Sequence, residues 1–127
     1  MSLDAAARAD AALQRRRGGQ NRAASRRPRS RRRYSVYVIE LDPKAGPGPL
    51  YDTPCVYVGM TGLPIGERLR NHLRGYKAAR VVTRYGRRLR PELYRGLNPM
   101  AYAQALEAEA QLADTLRGRG LIVFGGH

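Results

Sequence analysis

The stretch CVYVGMTGLPIGERLRNHL, residues 55–73, reads as a strand, a turn and a helix in immediate succession. CVYVG is β-branched and aromatic and closes on a glycine, which suits a strand. From Ile65 the apolar side chains Ile65, Leu69, Leu73 and Tyr76 recur about every four residues, so IGERLRNHLRGY (65–76) is expected to be helical. Upstream, YSVYVIEL (34–41) reads as another strand. Between the two strands lies DPKAGPGPLYDTP (42–54), whose four prolines and two glycines exclude helix and strand and make a long loop. The two strands are therefore expected to pair antiparallel across it. Downstream, residues 77–97 are basic and irregular, interrupted at Gly86 and Pro91. Asn98 and Pro99 carry the signature of a helix N-cap and first helical position, and that helix is expected to run to about Arg117. LIVF (121–124) reads as a third strand. The expected fold is α/β in the broad sense (α+β): a small three-stranded antiparallel sheet flanked by helices, over residues 34–127.

The chain has 127 residues, 24 of them Lys or Arg against 10 Asp or Glu, for a formal charge of +14. That length suits one domain with a modest core, and that charge points to a polyanionic partner, nucleic acid first. Two blocks carry the excess. Residues 1–33 hold 11 Arg against Asp4 and Asp10, and residues 68–95 hold ten basic residues against Glu92 alone. The first block has only Leu3 and Leu13 as sizeable aliphatics, so it reads as a disordered basic arm, either lying on phosphates or merely solubilising. In the second, GYKAARVVTRYGRRLRPELYR, Tyr76, Tyr85 and Tyr94 alternate with basic residues, a mixture suited to tracking a phosphate backbone while stacking on bases. Arg70, Arg74, Lys77, Arg80, Arg84, Arg87 and Arg88 are its candidate nucleic-acid contacts, weighed against an ordinary solvated surface. No run approaches the about 18 apolar residues of a membrane span. No apolar leader is evident, and a single cysteine, Cys55, excludes a disulfide framework and a thiolate zinc site. A cytoplasmic location is expected.

Helix geometry isolates one carboxylate. At about 100° per residue, Glu109 falls in the middle of the stripe formed by Tyr102, Ala105, Leu106, Leu112, Ala113 and Leu116, while Glu107 falls beside Ala103, Gln111 and Asp114. A carboxylate facing a core is costly unless it is paired or holds a metal, so Glu109 is the candidate metal ligand, with a salt bridge to a core-edge arginine as the competing role. On the first helix, Arg68 and His72 share the border of the apolar stripe, where a polar head reaches a site while its stem packs. Arg70 and Arg74 point to the opposite side. Tyr37 and Tyr57 occupy matching parity in their strands and can project from one face.

Ser35-Val36-Tyr37, Tyr57-Val58-Gly59, Arg68 four residues before His72, and Glu109 within ALEAEAQL resemble, in that order, the motifs of the GIY-YIG nuclease family. The resemblance spans residues 34–127. It implies a divalent ion, Mg²⁺ or alternatively Mn²⁺, on Glu109; contact of Arg68 with the scissile phosphate; Tyr37 as general base with Tyr57 positioning water or phosphate, the two roles being exchangeable; His72 as a supporting group; and Gly59 as the point where backbone approaches the site. Three departures stand out. The first glycine is Ser35, the two tyrosines are separated by the long Pro/Gly loop, and the asparagine that many members carry after the acidic helix has only His127 as a loose counterpart. The expected function is a metal-dependent endonuclease hydrolysing phosphodiesters in DNA or structured nucleic acid, with DNA favoured over RNA. The alternative is a catalytically inactive nucleic-acid-binding protein, RNA- or ribosome-associated, on the same fold.

Overall fold

The computed structural model describes residues 32–48 and 53–126. Of the basic arm only Arg32 and Arg33 are therefore described; the rest of it, residues 49–52 of the Pro/Gly loop and His127 lie outside the described residues. Strand β1 (Ser35–Leu41) and strand β2 (Cys55–Thr61) pair antiparallel in continuous register, Tyr37 opposite Gly59 and Ile39 opposite Tyr57. Both are dominated by β-branched and aromatic residues, which fit a pleated buried surface. Side chains alternate across the sheet, and both sets are covered: Tyr37, Ile39, Leu41 and Cys55 on one face, Val36, Val38, Val56 and Val58 on the other. Each fully buried Val or Ile is worth about 1.5–3 kcal/mol relative to exposure, so these two strands form the centre of the core.

Helix α1 (Ile65–Leu73) follows β2, then α2 (Arg80–Tyr85), strand β3 (Gly86–Leu89), helix α3 (Tyr102–Gly118) and strand β4 (Ile122–Gly125). The sheet has four strands in the order β3-β1-β2-β4, and β4 runs parallel to β2. The expected three-stranded antiparallel sheet is thus corrected twice, although the mixed α+β class stands. A parallel neighbour needs a crossover connection, and the helical segments between β2 and β4 supply it. β3 arises inside the stretch expected to be irregular. Its sequence, Gly-Arg-Arg-Leu, carries no strand propensity of note. It pairs because Leu89 meets Ile39 on a buried face while Arg88 lies opposite Glu40 and bonds its carboxylate at 3.2 Å. Two exposed arginines on an edge strand also discourage pairing with another chain.

Two further expectations are corrected at helix ends. α1 stops at Leu73, because Gly75 takes φ +82° and turns the chain away; Tyr76, expected on the apolar stripe, is exposed instead. α3 begins at Tyr102, with Gln104 accepting the Ala101 N–H at 3.1 Å, not at Pro99. Asn98, expected as its N-cap, serves β1: its amide donates to the Val36 carbonyl (2.7 Å) and its Oδ1 accepts the Val36 N–H (2.8 Å). With Arg90 N–H on the Val38 carbonyl and Met100 exchanging backbone bonds with Tyr34, this continues the β1 ladder beyond the end of β3.

Candidate active site

Tyr37 leaves the middle of β1, 1% exposed, and its hydroxyl meets Nε2 of His72 on α1 at 2.8 Å. Tyr57 leaves β2 beside it. The Tyr37 and Tyr57 ring centroids lie 6.3 Å apart, and the His72 centroid lies 5.9 and 5.4 Å from them. His72 is fully buried, which corrects its expected border position. The reason is backbone supply from the segment after α1. Ala79 N–H donates to Nδ1 at 3.1 Å, and the Thr83 hydroxyl donates to the His72 carbonyl at 2.6 Å. Neither residue has a type or spacing that marks it in the sequence, so both escape a motif-based reading.

Those bonds settle the proton on the imidazole. Burial, with the Arg68 guanidinium as second cause, pushes His72 down from its ordinary 6.5 to about 4, so the ring is neutral near pH 7. Nδ1 accepts from Ala79 and hence carries no hydrogen; the hydrogen is on Nε2, and His72 donates it to the Tyr37 oxygen. The Tyr37 hydrogen is then free to point away from the histidine.

Burial holds the Tyr37 phenol well above the ordinary tyrosine value; Tyr57 and Glu109 push it the same way, and Arg68 opposes them by charge and hydrogen bonding. Tyr57 is also raised, by burial first, with Arg68 lowering and Glu109 raising it. Arg68, one turn before His72 on α1, and Glu109, from α3, therefore act electrostatically on both tyrosines. Glu109 is 6% exposed, in the position helix geometry assigns it, whereas Glu107 is exposed and bonded to Gln111. Gly59 fits tightly: a β-carbon there would lie 2.5 Å from the Tyr37 hydroxyl oxygen and 3.0 Å from the Tyr57 ring. The glycine thus makes room for the tyrosines themselves. The five side chains Tyr37, Tyr57, Arg68, His72 and Glu109 are brought together from two strands and two helices. Among the described residues, no three His, Cys, Asp or Glu side chains gather into a metal-binding group, so any metal held by Glu109 would rely on that single carboxylate.

The basic candidates divide. Arg70, Arg74, Lys77, Arg80 and Arg84 are exposed. Arg87 pairs with Asp42 (3.1 Å) and Glu40 (3.8 Å), and Arg88 with Glu40 (3.2 Å), so these two are partly neutralised on the sheet surface. Of the three interleaved tyrosines, Tyr94 is buried and Tyr85 half-buried beneath Arg84, while Tyr76 is exposed. No helix among the described residues is long and apolar enough to cross a membrane. Comparison of the chain with protein-family models, curated proteins and solved structures finds no match.

Proposed function

We propose that the chain is a metal-dependent endonuclease of the GIY-YIG type, hydrolysing phosphodiester bonds in DNA or structured nucleic acid. The observation that carries the reading is the hydrogen bond from a neutral, buried His72 to Tyr37, set among Tyr57, Arg68 and the buried Glu109. Attack on a phosphodiester needs a water positioned for in-line displacement, a group to take its proton, and positive charge where negative charge develops. Tyr37 is assigned to take that proton on its phenolic oxygen, a role exchangeable with Tyr57. If that oxygen becomes anionic, the His72 N–H and the Arg68 guanidinium are already aimed to stabilise it. Arg68, half-buried, also offers a planar donor fork to a phosphate. Tyr57 is half-buried, so it is the tyrosine better placed to hydrogen-bond a bound substrate.

A hydrated Mg²⁺ needs only one or two protein carboxylates and fills its remaining positions with water and substrate phosphate. Glu109 fits that donor set, and Mn²⁺ accepts the same oxygens. When bound, the cation would neutralise charge on the phosphate.

The test is nicking of plasmid and branched DNA with Mg²⁺ or Mn²⁺. Wild type is expected to cut, and Glu109→Gln and Arg68→Ala to lose at least about 100-fold, the usual loss when one transition-state contact is removed. Equal cleavage by wild type and both variants would overturn the site. Tight binding without turnover under any divalent ion would favour the non-catalytic alternative.

A further inference from the structure

The loop joining α1 to α2 presents Tyr76 with 52% of its surface exposed, the most exposed of the large apolar side chains among the described residues. An aromatic ring left in water is ordinarily incidental; this one is built. The Arg74 guanidinium lies 5.6 Å and the Lys77 ammonium 5.5 Å from the ring centroid, both within cation–π range. Gly75 and Lys77 both take positive φ, +82° and +46°. For a lysine that conformation is disfavoured, and it persists only where surrounding bonds impose it. The residues on either side of Lys77 are tied down. The Tyr76 N–H is held by the Asn71 carbonyl at 2.8 Å, the Gly75 N–H by the His72 carbonyl at 3.2 Å, and the Arg74 guanidinium by Asn71 Oδ1 at 2.7 Å. The far end of the loop is fixed at Ala79, whose N–H bonds the His72 ring. The exposed tyrosine therefore sits on a rigid arm rooted in the same histidine that touches Tyr37.

We infer that Tyr76 is a stacking platform for an unpaired nucleobase, with Arg74 and Lys77 binding the flanking phosphates, so that the substrate is a nucleic acid carrying single-stranded nucleotides beside the site. This rests on the nuclease reading for the class of substrate and deepens it. A ring accepts any base by its π face, whereas a paired base inside a duplex keeps both faces stacked on its neighbours. The two cations lie over the ring, so a stacking base takes ring surface they leave open or give up, and they bind its backbone without reading sequence. A backbone pinned on both sides of the ring loses little freedom on binding.

The test is a titration in EDTA, where no metal-dependent turnover occurs, using oligonucleotides with 2-aminopurine either in a single-stranded overhang or within a fully paired duplex. Wild type and Tyr76→Phe are expected to quench the overhang probe. Tyr76→Ala is expected to lose the quenching and to bind the overhang about tenfold more weakly, with an unchanged thermal midpoint. Arg74→Ala and Lys77→Ala are each expected to lower the salt dependence of overhang binding by about 0.7 in slope. Undiminished quenching and affinity in Tyr76→Ala, or equal wild-type affinity for paired and overhang probes, would overturn the proposal. Quenching that depends on Tyr76 supports it even where Mg²⁺ elicits no cleavage, so the platform and the nuclease reading can fail separately.

Discussion

Gly59 shows how one missing β-carbon shapes the candidate site. It faces Tyr37 across the β1–β2 pair, and the tyrosine ring lies over it to reach His72. In Gly59→Ala the new methyl and the Tyr37 hydroxyl cannot both keep their places at 2.5 Å. Overpacking of this kind costs about 1–3 kcal/mol. The substitution is therefore expected to lower the urea midpoint and to shift the His72 ring signals in NMR as the hydrogen bond to Tyr37 breaks. Wild-type stability with unchanged ring signals would show that the site tolerates the methyl. The glycine was legible in the sequence as a point of close approach, but what approaches is a side chain, and only register could say so.

Among the elements, β1 depends most on distant sequence. Its outer edge is met by β3 at one end and by the Asn98 amide at the other, which pairs with both backbone groups of Val36 as a neighbouring strand would. Asn98→Ala leaves a buried N–H and C=O without these partners, at about 1–3 kcal/mol for each unsatisfied group. The expected result is a destabilisation of about 2–6 kcal/mol by urea unfolding for the two groups together, with Asn98→Ser recovering at most part of it. A loss smaller than about 0.5 kcal/mol, the scale of an ordinary surface change, would refute the strand-completing role. The same residue illustrates an ambiguity of local reading. Asn followed by Pro looks like a helix start, yet an asparagine amide is equally able to imitate a peptide group, and the choice belongs to whatever strand lies beside it.

At the scale of the whole molecule, burial of His72 links folding to pH. The folded ring titrates near 4 and the unfolded one near its ordinary 6.5, so between these values the unfolded chain binds more protons. This contribution to stability is complete above about pH 6.5 and is lost as the pH falls toward 4. The urea midpoint is expected to decline across that window, and the His72 ring to titrate by NMR with a midpoint near 4. A midpoint at or above 6.5 would show the ring to be open to water. The surface charge is organised on the same scale. Glu40, Asp42 and Glu92 draw Arg87, Arg88 and Arg90 into ion pairs beside β1 and β3, leaving the exposed cations of α1, α2 and their connecting loop as the more open basic surface.

Hydrophobic periodicity and strand composition were sufficient for the two central strands, α1, the body of α3 and the inward turn of Glu109, because those features follow from the spacing of apolar side chains along a single element. β3, the parallel placement of β4, the full burial of His72 and the tautomer it adopts were decided by tertiary structure alone. Each depends on a partner far along the chain: Ile39 for Leu89, Tyr57 for Phe124, Tyr37 and the Ala79 N–H for the imidazole. A short strand of arginines pairs only when a neighbouring edge offers acceptors and opposite charge, and a histidine enters a core only when both ring nitrogens find partners there. Those are conditions on the fold, and local sequence carries no record of them.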